Sequence, residues 1–147
     1  MIRLHMLCSW FSYGAFLIAF LTGWLFLVQE RQLKRKHMGR LFHWLPPLGA
    51  LDQLNFIAIG VGFALFSLGM ALGFMGERRL LGTWWTHDPK EYLSVGLWAT
   101  YCVLWLVRLR ATLRGRRVAL LSILGFGLVL FTSLGARWLL PSWHATV

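Results

Sequence analysis

The chain has 147 residues, of which 58% are hydrophobic and nine are tryptophan, with only five acidic side chains. That is more apolar surface than a soluble domain of this size can bury, so the class is integral membrane. A formal charge of +10 would suit a nucleic-acid partner if the cations formed a polar domain of their own, but they fall between apolar stretches, where the positive-inside rule places them, and nucleic acid is excluded.

Four stretches are long and apolar enough to cross a hydrocarbon core of about 30 Å, which takes about 20 helical residues. They are residues 8–29, 54–76, 92–107 and 118–137. The predicted fold is all-α: a single transmembrane domain over residues 1–147, built as a four-helix bundle and multi-pass in the inner (cytoplasmic) membrane. The first stretch lacks the charged start and small-x-small cleavage site of a leader and reads as the first span. The third is the shortest, reaching about 24 Å before Arg108, and snorkelling by Arg108 and Arg110 is expected to make up the rest. Cys8 belongs near one membrane face while Cys102 sits about 15 Å down a helix, so no disulfide is expected between them.

Orientation follows from the cations. Arg31, Lys34, Arg35, Lys36 and Arg40 lie between spans one and two, and Arg108, Arg110, Arg114, Arg116 and Arg117 between spans three and four. The other side carries Arg3, Arg78, Arg79, Lys90 and Arg137, so the two basic loops are assigned to the cytoplasm and both termini to the outer side. In the first basic loop, Pro46 and Pro47 deny a continuous helix, and the segment through Gln53 is expected to lie along the inner interface. His37 and His43 in this loop read as solvated or interfacial residues. Span two carries Gly60, Gly62, Gly69 and Gly73; the last pair is a small-xxx-small face suited to close helix approach within the bundle.

Residues 77–91 form the outer loop, which contains Gly82-Thr83-Trp84-Trp85-Thr86-His87-Asp88-Pro89-Lys90-Glu91. Asp88 suits an N-cap, Pro89 the first helical position and Glu91 the reciprocal carboxylate of a capping box. Capping accounts for the end of this loop. It does not account for two adjacent tryptophans and a histidine just before it.

The topology gathers His5, His87 and His144 on the same face as Trp84 and Trp85. Haem needs axial imidazoles, aromatic walls and cations for its propionates. His5 and His144 can supply the first, Trp84 and Trp85 the second, and Arg78, Arg79 or Lys90 the third. Taken without further context, the tryptophans are equally an aromatic belt, and terminal histidines such as His5 and His144 are more often solvated than ligating.

The loop resembles the tryptophan-rich signature W-G-x-x-W-x-W-D-x-K-E of the cytochrome c assembly family, membrane proteins of the CcsA, CcmC and HemX type. Gly82, Trp85, Asp88, Lys90 and Glu91 match it, and Trp98 and Tyr101 fall in a helix similar to the one that follows the motif. The stretch 45–56, with its paired prolines and Asp52-Gln53-Leu54-Asn55-Phe56, and Gly115-Arg116-Arg117 before span four are similar too. The resemblance covers the C-terminal part of the family's usual length. It implies haem b held at the outer loop, with His5 and His144 as axial ligands of the iron and Trp84, Trp85, His87 and Asp88 around it. Delivery to apocytochrome c, alongside other cytochrome c assembly membrane proteins in the lipid bilayer, is implied with it.

Two positions depart from the signature. Leu81 stands where its first tryptophan belongs and His87 where its third does, which weakens stacking and adds an imidazole. No histidine lies deep in a span, where haem-exporting members carry them; Val107 falls near one such position. The alternative reading is therefore a HemX-like scaffold or regulatory subunit without haem transfer. No nucleophile, base and orienting group can be assembled, and an enzyme is not expected. Solute transport is disfavoured because no acidic residue lies within a span.

Overall fold

The computed structural model describes residues 2–36, 45–82, 84, 87, 89–109 and 115–135. Among these, every regular element is helical: α1 (Ile2–Lys34), α2 (Leu48–Leu81), α3 (Pro89–Leu109) and α4 (Arg116–Leu130), the last continuing as a π-helical turn, Phe131–Gly135. All four are long and apolar enough to cross a membrane, over Arg3–Lys34, Leu48–Leu80, Glu91–Leu109 and Arg116–Ser133. The chain is a multi-pass membrane protein of the all-α class.

Polar turns extend the apolar cores. α1 has 33 residues and α2 has 34, which at 1.5 Å per residue is a rise of about 50 Å each. Leu48 to Gln53, expected along the inner interface, instead opens α2. Pro47 precedes the first turn and its carbonyl accepts from the N–H groups of Ala50 and Leu51 at 2.8 and 3.2 Å. Proline breaks a helix from within; at its start the missing N–H has no partner to lose.

α1 and α2 run antiparallel and form the main interface, α4 lies against α1, and α3 packs on α2 and α4. Bulky side chains such as Trp10, Phe11, Trp24, Val103 and Leu124 face outward, while Phe16, Ala19, Ile59, Leu97, Tyr101 and Val118 form the core. Phe16 stacks on Tyr101 with centroids 3.7 Å apart, joining α1 to α3. Lipid is as apolar as these exteriors, so association must come from close packing and from polar groups exchanged between helices. Both are present. A Cβ at Gly60 would overlap the Trp105 ring, which stacks on Phe56 at 4.8 Å. Buried Asn55 donates to the Ala19 carbonyl at 2.7 Å, and the Ser122 hydroxyl donates to its Oδ1 at 3.2 Å, so one amide ties α2 to α1 and α4.

Arg108 does not snorkel. α3 has 21 residues, a rise of about 32 Å that spans the core without help. The Arg108 side chain is only 5% exposed, and its Nη2 donates to the Asp52 carboxylate at 2.7 Å and to the Asp52 carbonyl at 2.8 Å. The other carboxylate oxygen accepts from the Gly115 N–H at 3.3 Å. Because Asp52 sits on a helix, and not on an interfacial loop, it can fasten the start of α2 to the end of α3 and the start of α4. Arg110 lies outside the described residues.

Candidate functional site

The far end of the bundle from this clasp is built around the C-terminus of α2. Gly82 ends that helix in the left-handed conformation, φ 72°, with its N–H donating to the Arg78 carbonyl at 3.1 Å. A side chain would be strained at this φ, which is the physical reason for glycine at this point of the loop. Trp84 follows, exposed, with the Arg78 guanidinium over its ring at 4.2 Å from the centroid.

His87 also has a positive φ, 60°, a region where histidine is enriched among non-glycine residues. Its Nδ1 lies 2.8 Å from the Tyr92 hydroxyl and the two rings are 6.3 Å apart, so an exposed side-chain pair spans the start of α3. α3 begins at Pro89, as the capping pattern predicts, and Glu91 is buried in its first turn. Trp85, Asp88 and His144 lie outside the described residues.

His5 is half-buried against α2. Its Nδ1 lies 2.7 Å from the Gly69 carbonyl oxygen. A carbonyl can only accept, so Nδ1 carries the proton, and in the neutral ring Nε2 keeps its lone pair. Gly73 makes this approach possible: a Cβ there would lie 3.2 Å from Cε1, 3.3 Å from Nδ1 and 4.0 Å from Nε2. The Cε1–Nδ1 edge of the ring therefore lies closest to Gly73, with Nε2 the farther nitrogen. The small-xxx-small pair seats a histidine, with Cys8 and Ser9 packing on Gly69. Sequence reasoning missed this seat; the four-residue spacing that matched a helix-approach motif was its signal. It also missed Tyr92 as the partner of His87.

The register of α2 and α3 brings these parts together. Trp98 donates to the Ser67 hydroxyl at 2.8 Å and Trp105 fills the space at Gly60. Continued at the same pitch, this pairing puts Pro89 level with Gly76, three residues beyond Gly73 on α2. α2 rises five residues further to Leu81, about 8 Å, and Arg78 on those last turns carries Trp84. Trp84, His87 and His5 thus share one end of the bundle. Among the described residues no three His, Cys, Asp or Glu side chains form a metal-holding group, so a site for a bare metal ion has no support here. An imidazole whose Nδ1–H is held by a backbone carbonyl, at the same end of the bundle as an exposed indole, is of the kind that could take one axial position of haem iron.

Over residues 1–144 the sequence matches the family described as cytochrome C assembly protein. The chain belongs to that family. Among its curated relatives is the cytochrome c biogenesis protein CcsA of Prochlorococcus marinus (strain MED4), 37% identical over 65% of this chain and 30% of the relative. CcsA of Synechococcus sp. (strain JA-2-3B'a(2-13)) is 35% identical over 65% of this chain and 27% of its own length. CcsA of Guillardia theta is 28% identical over 98% of this chain and 53% of its own length. The chain thus spans about half, or less, of the curated relatives it matches within this cytochrome c assembly family. No solved structure matches it.

Proposed function

We propose that this chain is a haem-binding member of a cytochrome c assembly system, holding haem b at the tryptophan-rich end of the bundle for delivery to apocytochrome c. His5 and His144 are the axial ligands of the iron in this reading. Trp84 and Trp85 wall the ring, His87 and Tyr92 form a hydrogen-bonded edge in place of the missing indole, and Asp88 caps α3. In this reading the site faces the outer side of the cytoplasmic membrane, with both termini outward, which the cation distribution supports. The observation that carries the reading is the state of His5: its Nδ1–H is committed to a backbone carbonyl, which leaves Nε2 as the nitrogen available to a ligand. That arrangement orients metal-ligating histidines and raises their basicity.

Haem is cargo here, and the residues of the chain bind and release it without a covalent step. His5 contributes a fixed lone pair. Arg78, beside Trp84, places positive charge where propionates would lie. Purification after expression with ample haem tests the proposal: the wild type is expected to carry a Soret band that is reduced in His5→Ala and in His144→Ala. A wild type without the band, or variants that keep it unchanged, defeats the reading.

A second reading, a HemX-like scaffold without haem transfer, is favoured by one observation. Two ring systems of this loop already have partners, Trp84 under Arg78 and His87 against Tyr92. Here the bundle supports another assembly protein, and a partner that co-purifies equally well with the His5→Ala, His144→Ala double variant is the expected result.

A further inference from the structure

We propose that Gly73 and the Gly69 carbonyl are positioning elements for His5: together they fix its Nδ1-protonated tautomer and ring plane, and so aim Nε2 at its ligand. The inference rests on the haem-binding reading and deepens it, because it says which atoms of the protein hold the ligating nitrogen in place.

Three observations on different elements support it. The hydrogen bond between His5 and Gly69 is short, 2.7 Å, and joins residues 64 apart in the chain, so the ring is held by tertiary structure and not by its own helix. The Cε1–Nδ1 edge lies 3.2–3.3 Å from where a Gly73 Cβ would stand, tighter than ordinary van der Waals contact, so a Cβ there displaces the ring by a few tenths of an ångström and a bulkier side chain displaces it further from its carbonyl. Gly76, one turn further along α2, would meet nothing within 4 Å, and a Cβ at Gly69 would make ordinary contacts of 3.4 Å with Cys8 and Ser9. Of the three glycines, Gly73 alone is bound to the histidine by sterics; Gly69 contributes through its backbone oxygen. His5 is anchored within its own helix as well, where its carbonyl accepts from the Ser9 hydroxyl at 2.9 Å.

A ligating imidazole held by an Nδ1–H to carbonyl bond is a stronger donor to iron than a free one, and loss of such an outer partner weakens metal binding roughly 10- to 100-fold. The test has an arm without haem and an arm with it. In the haem-free protein in detergent, long-range 1H–15N correlation of 15N-histidine should report His5 as the Nδ1-protonated tautomer. An Nε2-protonated His5 overturns the proposal. In haem titrations, Gly73→Val should weaken binding roughly 10- to 100-fold and convert the low-spin ferric spectrum to a high-spin one. Gly76→Val should match the wild type in both.

His5→Asn keeps a donor at the position of Nδ1 but has no equivalent of Nε2. It should fold normally and show the same spectral change. Should Gly73→Val not fold, Gly73→Ala is read in the same way, with a smaller loss. Gly73 and Gly76 variants that behave alike overturn this inference while leaving haem binding intact. A wild type that takes up no haem overturns the haem reading and this inference with it.

Discussion

The two ends of the bundle handle polar groups in opposite ways. At the basic end, Asp52 uses both carboxylate oxygens and its carbonyl to hold Arg108 and Gly115, and the Asn55 amide one turn deeper ties α2 to α1 and α4. At the loop end, His5 makes one bond to a backbone carbonyl, and Trp84, His87 and Tyr92 stay exposed. The first arrangement directs hydrogen-bonding capacity inward and closes the bundle; the second leaves ring faces exposed. Stability and binding should therefore separate by end. Substitutions at the clasp should cost folding free energy and leave ligand spectra alone, and those at the loop end should do the reverse.

The largest expected effect is at the clasp. Asp52→Ala leaves Arg108 as an unpaired buried cation and should lower stability in detergent unfolding by about 3 kcal/mol. Adding Arg108→Met should recover most of that loss, since the costly element is the orphaned charge. Next comes Gly60→Ala, whose Cβ overlaps the Trp105 ring; forced repacking should cost about 1–3 kcal/mol, read as a fall in Tm. Asn55→Ala should cost about 1 kcal/mol, the usual range for hydrogen bonds between membrane helices. The smallest effect is expected at the loop end. Arg78→Ala removes an exposed cation–π contact and should change stability by about 0.5 kcal/mol, at the limit of a thermal melt. If Asp52→Ala abolished a haem spectrum while its unfolding curve stayed put, the separation of the two ends would fail.

The four helices are legible because uninterrupted apolar runs of this length have few alternatives, and the family is legible because Gly82, Lys90 and Glu91 keep fixed spacing around the loop. The ends of the helices are not legible in the same way. Hydropathy registers apolar cores, whereas α1 continues through Arg31 to Lys34 on backbone hydrogen bonds and a Lys34–Glu30 pair at 2.8 Å. Arg108 was misread for a related reason: a cation at the edge of an apolar run snorkels unless a carboxylate waits at its depth, and Asp52 is 56 residues away. The seat of His5 combines both kinds of signal. The histidine was visible as a candidate, and so was the Gly69–Gly73 spacing, but nothing in the string of residues says that one faces the other. His144, Trp85 and Asp88 are outside the described residues, so the second axial position rests on the sequence.

The unequal heights of the helices at the loop end have a consequence for how a guest would lie. α1 and α3 both start near the level of Gly76, while α2 runs five residues further to Leu81, so His5 lies against a helix that rises past it. Under the proposed reading, a planar guest held by His5 would lean on the last turns of α2.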